Sequence, residues 1–583
     1  MDGGITVTAK KPTLALINVM MDGDYQFDEE IPLGVGMIAS YLRQNEFPVT
    51  IHQCLASQGP EQIELAGKVG ASAYGFQLNI VNYQNVLAVV QKIKAHNPKA
   101  FIVLGGPFLA ALAEPILKNE PLFDAIVVGE GEETMLDLME KLTEADGGEI
   151  DLAAIPGILW RNEEGNIVKN GQRPLIRDLD ILPFPARDFL KDSLNHDKVD
   201  GGLLESLRII TSRGCVANCN FCAVNFYSKL QKGKLWRGRS AKNVVDELEH
   251  LVETYDAHVV NFSDSSFDDP GKKGKERTRD ICNDIIDRGL KISAKVYMRA
   301  DSMLEDEDED LLRLWKKAGI DVLIVGAESG SDLELEFYEK RADLFENNKI
   351  IERIRKLDLF YLRTGMIMFG PNSTLGTLRE NIDFMKEWDL ADNPTLVSNA
   401  LMLIRDSKLY DILKEEGRVH DGDNPWDLPK YDWLDPLAKR VGAHWDGIEG
   451  RFPVANKMNN VQTETENLFT RLLNPMNAHA LDQVHDCYLN VKSRYMSLKK
   501  EFNVIQHEYF HRVLNMVEDN SSDEDLEKSG QAFFGNIYQE WYPRYQILHD
   551  ELMGEFERAE LSLSGLVFKN FASAMVKDGT ERV

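Results

Sequence analysis

The sequence predicts an α/β protein in three parts: an N-terminal doubly wound parallel sheet, a central partial (β/α)6 TIM-like barrel and a mainly α-helical C-terminal domain. Three observations carry this. Short apolar runs alternate with stretches of helical periodicity over residues 1–148 and again over 206–420. A connector at 149–205, punctuated by proline and holding a small hairpin, separates the two blocks. Two long amphipathic segments, about 476–517 and 530–575, then fill a 421–583 region that we read as helical and substrate-related. At 583 residues the chain is too long for one hydrophobic core.

In the first block the strands are expected at 13–19, 49–51, 73–76, 101–104 and 125–128. Helices are expected at 36–45, 60–69, 83–96, 109–119 and 132–144. Such a sheet binds ligands beyond the carboxyl ends of its strands, and two of those ends carry glycine: Gly105-Gly106-Pro107 and Gly129-Glu130-Gly131-Glu132. Glycine lets backbone approach a ligand closely, although an isolated Gly-x-Gly is usually a turn. In the connector, residues 155–158 and 165–168 read as the hairpin, and Asp180-Ile181-Leu182-Pro183-Phe184-Pro185 cannot be helical throughout.

The second block alternates again. Strands are expected at 207–212, 258–262, 292–297, 321–325, 360–369 and 396–402, and helices at 241–254, 275–287, 308–318, 344–356 and 375–387. Beyond it lie Trp426, Tyr431, Trp433, His444 and Trp445 in a loop-rich stretch. Phe533, Phe534, Tyr538, Trp541, Tyr542 and Tyr545 are expected to form a core, and Glu518 to Asp525 an acidic, mobile linker.

Composition narrows the function. Hydrophobic content of 43% and charged content of 28% are those of a soluble globular protein, and no apolar run reaches the length of a membrane span. Met1 to Lys11 lacks the apolar core of a secretory signal, so a cytoplasmic protein is expected. A net charge of −29 argues against nucleic acid as the main partner. Against that background Lys229, Lys232, Lys234, Arg237 and Arg239 form a local basic run. It could receive an acidic electron donor such as flavodoxin or ferredoxin, hold an anionic substrate group, or be a solvated loop. The six cysteines make no disulfide framework; Cys54, Cys282 and Cys487 read as small core residues.

The other three form Cys215-Val216-Ala217-Asn218-Cys219-Asn220-Phe221-Cys222. Three thiolates so spaced can hold three irons of a [4Fe-4S] cube and leave the fourth open. A tetrahedral zinc would need a fourth Cys or His, and the nearest histidines in sequence are His196 and His250. The C-x3-C-x2-C spacing, with Phe221 before the last cysteine, resembles the signature of radical S-adenosylmethionine (SAM) enzymes. The resemblance implies that the amino and carboxylate groups of SAM chelate the open iron. It also implies SAM-binding roles along the barrel. Asp264 falls where the family's second-strand motif handles the SAM amino group, and Arg299 where ribose or carboxylate is contacted. Gly326-Ala327-Glu328-Ser329-Gly330 resembles a Gly-x-Glu-Ser-Gly segment lining the adenosyl site, and Phe369-Gly370-Pro371 a Gly-x-Pro turn near adenine. Taken singly, each has a plainer reading: a strand-end carboxylate can cap a helix, and Arg299 can pair with Asp301 or Asp264.

Pro32-Leu33-Gly34 and the two glycine loops together resemble the cobalamin-binding, Rossmann-like domain found before the radical domain in the B12-dependent class. The resemblance implies that Gly105, Gly106, Pro107, Gly129, Glu130, Gly131 and Glu132 cradle the dimethylbenzimidazole tail and corrin edge. It places Gln77, Val81 and Asn82 in the segment beneath the corrin. The Asp-x-His-x-x-Gly pattern of other cobalamin proteins is absent, for Asn18-Val19-Met20-Met21-Asp22-Gly23 follows the first strand. Cobalt is therefore expected to lack a histidine lower ligand, which should ease methyl transfer. A flavodoxin-like domain with another ligand, or none, is the alternative.

The chemistry so implied is reductive cleavage of SAM to methionine and a 5′-deoxyadenosyl radical. Hydrogen abstraction and C-methylation of an unactivated carbon in a small-molecule or natural-product substrate would follow. A non-methylating cyclisation or rearrangement is the runner-up, and a corrinoid-binding sensor or carrier without turnover is the reading from another class. The resemblance ends at about residue 420, and no catalytic motif is recognisable after it.

Overall fold

The computed structural model describes residues 11–20, 32–56, 59–79, 82–107, 109–188, 207–224, 226, 231–255, 257–424, 426–474 and 477–559. Its first sheet is built from β1 (Leu14–Met20), β2 (Val49–Leu55), β3 (Ala73–Gln77), β4 (Phe101–Gly105) and β5 (Ala125–Val127). Between them run α1 (Leu33–Gln44), α2 (Pro60–Gly67), α3 (Tyr83–His96) and α4 (Ala113–Asn119), and α5 (Glu132–Ala145) follows β5. Every residue of β1 is buried, as a strand covered on both faces requires. Its side chains alternate: Leu14 and Leu16 pack with Val35, Leu42 and Leu138 of α1 and α5, whereas Ala15, Ile17 and Val19 pack with Val86, Val90 and Ile116 of α3 and α4.

The strands run in the order β2-β1-β3-β4-β5, all parallel. The chain therefore leaves β1 toward both sides, and the crevice between β1 and β3 is the place where such sheets hold ligands. The connector's hairpin forms as β6 (Ile158–Arg161) and β7 (Ile167–Lys169). It is not a separate link: β6 pairs antiparallel with β5 and extends the sheet to seven strands.

The second sheet has five parallel strands, β8 (Leu207–Ile209), β11 (Val259–Phe262), β12 (Ser293–Arg299), β13 (Ile320–Glu328) and β14 (Tyr361–Met366), in the order β14-β13-β12-β11-β8. Two short strands, β9 (Ser212–Arg213) and β10 (Arg237–Gly238), pair antiparallel just beyond β8. The sixth strand expected at 396–402 does not form. Asn393 caps Pro394–Val397 through Thr395 and Leu396, turning the start of that segment into a helical turn, and one bridge, Phe369 to Ala400, is all that remains of the pairing.

The C-terminal helices complete this sheet. Leu207 of β8, Leu323 of β13, Val461, Phe502 and Phe556 belong to one continuous core, so the helical part shares its interior with the second sheet. The 41-residue helix Ala478–Glu518 buries Val484, Tyr488, Val491, Tyr495, Leu498, Phe502, Tyr509 and Phe510, a stripe at spacings of one helical turn. Trp541 and Tyr545 join this core as expected. Tyr538 instead faces solvent at 56% exposure, and residues 560–575 of the second amphipathic segment lie outside the described residues. The acidic linker is a short capped turn: Ser522 accepts from the backbone N–H of Asp525 and starts the helix Asp523–Asn536. His444 and Trp445 lie in the helix Pro436–Trp445 rather than in a loop.

His444 couples this core to pH. It is 6% exposed and lies 2.8 Å from the Tyr509 hydroxyl, and burial pushes its pKa down from 6.5 to about 4. The unfolded chain takes up a proton on acidification through 6.5, whereas the folded chain does not until about 4. The stability this group contributes is therefore complete above pH 6.5 and lost between 6.5 and 4. Denaturant unfolding at pH 7 and pH 5 should show wild type losing about 2 kcal/mol more than His444→Gln over that interval. Equal losses would remove His444 from the account.

Candidate active site between the two sheets

The C-terminal ends of the first sheet face those of the second across a cavity holding about 1560 Å³ of empty space, part of it open to solvent. The volume open to water-sized groups is about 430 Å³, within the range of roughly 300 to 1,000 Å³ usual for small-ligand pockets. Its first wall is Gly34, Gln77, Gly105, Gly106, Pro107 and Gly129–Glu132, and its second is Ile210, Ser212, Arg213, Gly214, Ser263 and Ser265. Eight of the ten residues expected beside cobalamin thus meet in one place. A side chain at Gly106 (φ 150°) would bring its Cβ within 2.4 Å of the Leu78 carbonyl oxygen, so the Gly105-Gly106 loop can close on the β3 loop only without one.

Asn82 does not reach the cavity. It is 3% exposed, its amide donates to the carbonyls of Val19 and Gln77, and it thereby ties the ends of β1 and β3 together. Val81 lies outside the described residues.

Glu130 and Glu132 line the cavity, but their charges are spent on the opposite domain. Arg213, two residues before Cys215, donates to Glu130 at 3.0 Å and Glu132 at 2.5 Å, and Arg237 reaches Glu130 at 2.8 Å. The second Glu130 oxygen accepts from the backbone N–H of Ile176, and its own N–H donates to Gln231 Oε1. Burial alone would raise the Glu130 pKa, yet Arg213 and Arg237 hold it below the usual carboxylate value. The Arg213 pKa is raised because Glu132 and Glu130 outweigh its desolvation. This also corrects the basic-patch reading. Arg237 and Arg239 are each 6% exposed and paired internally, Arg239 with Glu247 at 2.5 Å, leaving Lys232 and Lys234 exposed, while Lys229 lies outside the described residues.

The cysteine loop leaves β9 and is held at both ends. The Asn220 backbone N–H donates to the Tyr338 carbonyl, its own carbonyl accepts from the Leu409 N–H, and its side-chain amide donates to the Phe337 carbonyl. Phe221 meets the Tyr338 ring edge-on at 5.4 Å. Burial raises all three thiols, Cys219 to about 11, so thiolates form here when iron takes the proton's place. Among the described residues only Asp383, His507 and His511 bring three metal-ligating atoms within 4.8 Å of one another. The three thiols do not form such a group.

The residues singled out for SAM surround this loop without lining the cavity. Asp264 is 3% exposed; its carboxylate accepts from Thr211 and Ser212 through backbone and side chain, fixing the strand end where the loop begins, while Ser263 and Ser265 on either side face the cavity. Arg299 is clamped between Asp301 (2.6 Å) and Asp269, and Asp269 accepts from the backbone of Val216 inside the loop. Glu328 holds a left-handed φ of 67° and pairs with Lys340 at 3.1 Å. A Cβ at Gly326 would lie 2.6 Å from that carboxylate, which explains glycine there. Both charges are close enough to bias Cys219, Lys340 downward and Glu328 upward. Ser329 is buried and bonded to Glu334 and Asn381, and the Pro371 carbonyl accepts from Leu434 and Arg418, so these two shape the strand ends from beneath. Sequence reading missed Arg213, Asp269 and Lys340. Arg213 adjoins the motif and could have been flagged; the other two gain meaning only from their partners.

Two family models match the chain: a B12 binding domain over residues 27–139 and the Radical SAM superfamily over residues 209–385. An uncharacterised methyltransferase of Pyrococcus horikoshii is 30% identical over 362 residues, covering 62% of this chain and 74% of that protein. The chain belongs to the cobalamin-dependent radical SAM enzymes. As a member of that family its cofactors are cobalamin, SAM and a [4Fe-4S] cluster.

The anaerobic magnesium-protoporphyrin IX monomethyl ester cyclase of Rubrivivax gelatinosus is 29% identical over 369 residues, 60% of this chain; the match spans 59% of the cyclase, under two thirds of its length. Among solved structures, the cobalamin-dependent radical SAM enzyme OxsB, with aqua-cobalamin and SAM bound, superposes with a TM-score of 0.65 at 18% identity over 91% of this chain and 84% of that one. The methyltransferase TsrM of Kitasatospora setae, with cobalamin and a [4Fe-4S] cluster bound, gives 0.57 at 16% identity over 77% and 95%. At such identities the likeness is one of fold.

For this cobalamin-dependent radical SAM enzyme, Arg213→Met strips buried Glu132 of its ion pair and leaves Glu130 with Arg237 alone, and breaking a buried pair costs about 3–5 kcal/mol. It should lower Tm and weaken cobalamin binding by about tenfold or more, read by absorbance titration, with Lys232→Ala as an unaffected surface control. Unchanged affinity and Tm in Arg213→Met would contradict the assignment.

Proposed function

We propose that the protein C-methylates an unactivated carbon of a small-molecule or natural-product substrate. The observation that carries this reading is the single cavity whose walls are the glycine loops on one side and the strand ends beside the cysteine loop on the other. A methyl donor and a hydrogen-abstracting group must both reach one carbon, and proximity is worth many orders of magnitude in rate. Bound there, the cluster, SAM and cobalamin supply an electron, a hydrogen-abstracting radical and a transferable methyl group.

On this reading Cys215, Cys219 and Cys222 hold three irons, and the Glu328–Lys340 pair sets the charge beside Cys219. Gly105, Gly106, Pro107, Gly129 and Gly131 press backbone against cobalamin, with the Gln77 amide among them. Glu130 and Glu132 act through Arg213, holding the cobalamin loop and the cluster loop at a fixed separation. Asp264 and Arg299 keep the SAM side in place by fixing the ends of the cysteine loop. The mostly apolar lining leaves few groups to hold water beside reactive species. An acidic electron donor, flavodoxin or ferredoxin, would find Lys232 and Lys234 at the surface near this junction.

The methyltransferase name of the Pyrococcus horikoshii relative favours methylation. The cyclase name of the Rubrivivax gelatinosus relative favours a second reading, ring formation without methyl transfer. The product pattern separates them. Anaerobic incubation of the loaded enzyme with dithionite, SAM and candidate substrates, followed by mass spectrometry, should yield 5′-deoxyadenosine together with S-adenosylhomocysteine. 5′-Deoxyadenosine without S-adenosylhomocysteine would favour the cyclase reading, and neither product would leave a carrier. Cys219→Ala should abolish both.

A further inference from the structure

We propose that Asp383, His507 and His511 form a binding site for a divalent transition-metal ion, with zinc matching the ligand set, that clamps the long C-terminal helix to the domain carrying the cysteine loop. Nothing in the proposed reaction uses these residues, and the site does not depend on that reaction. Asp383 sits on the helix Leu375–Glu387, and His507 and His511 sit four residues apart on Ala478–Glu518. That spacing stacks two imidazoles on one helix face. Tyr509 and Phe510 between them turn into the core, so the histidines share the opposite side with Asp383.

The ligand atoms converge. His507 Nε2 lies 2.6 Å and His511 Nε2 2.9 Å from the same oxygen, Oδ1 of Asp383, with ring centroids 4.4 Å apart. All three lie within 4.8 Å of one another, the span an ion with metal–ligand bonds of about 2 Å can bridge after small outward shifts. Two imidazoles and one carboxylate suit zinc or another first-row ion and leave positions for water. A second cavity adjoins the group, lined by Glu508, Arg512, Asn515 and Asp519 as well as both histidines, and Asp383 is exposed, so an ion has both entry and room for its outer ligands.

One feature limits the affinity. His507 Nδ1 is buried with no partner among the described residues, and in the metal-bound form it carries the ring hydrogen. Metal-ligating histidines normally donate that hydrogen to an acceptor, and losing such support weakens binding by about 10–100-fold. Affinity is therefore expected on the order of micromolar rather than nanomolar.

The test is equilibrium dialysis of the full chain, its cluster reconstituted so that the cysteines are occupied, against zinc chloride, with zinc and iron measured together. The site predicts one zinc per chain with iron retained, a higher Tm with zinc present, and binding weakened about tenfold or more in His507→Gln and in His511→Gln. His485→Gln, an exposed histidine on the same helix, should bind as wild type does. No zinc at concentrations far above micromolar, equal binding in the His507 and His511 variants, or zinc uptake matched by iron loss would each overturn the proposal.

Discussion

The structure depends on one buried ion cluster. Arg213 and Arg237 of the second domain meet Glu130 and Glu132 of the first, with the Glu130 and Ile176 amides completing the bonds. Charges removed from water cost several kcal/mol each unless their partners are fixed, so this junction tolerates little displacement. The cost falls where geometry matters most, because Arg213 leads into the cysteine loop and Glu130 sits in a glycine loop that lines the cavity. The two sites proposed to act on one carbon are thereby held in register by side chains rather than by a flexible connector.

The rest of the architecture supports this junction. The first sheet offers its crevice between β1 and β3, and the hairpin β6–β7 widens that sheet rather than floating between domains. The second sheet stops at five strands. Its β14 edge is covered by C-terminal helices that share its core, so the part of the chain without a recognisable motif is structurally inseparable from the part with one. Trp426, from the segment entering those helices, stacks on Tyr83 of α3 at 3.9 Å, a contact between the helical region and the first domain.

Much of this was legible in the sequence because it is local. The helix expected at 83–96 is Tyr83–His96, and the cysteine spacing and the glycines at two strand ends are short-range patterns that physics reads directly. What local patterns do not show is pairing over distance. Glu130 and Glu132 line the cavity as expected, but their partner Arg213 stands 83 and 81 residues away. Arg237 and Arg239 read as part of a basic run open to a donor, an anionic group or solvent because Glu130 and Glu247 could not be placed opposite them. The bonds from Thr211 and Ser212 to the two Asp264 oxygens, across more than fifty residues of chain, are equally invisible in the sequence. The expected strand at 396–402 lost to a local signal, the Asn393-Pro394 cap, that apolar periodicity does not register.

The proposed chemistry rests on an iron that Cys215, Cys219 and Cys222 would leave open beside the junction. EPR spectroscopy of the anaerobically reconstituted, reduced protein, before and after SAM is added, addresses that iron directly. A four-iron signal that shifts when SAM binds is the predicted result. A protein that assembles no four-iron centre, or whose signal is the same with and without SAM, would contradict the account.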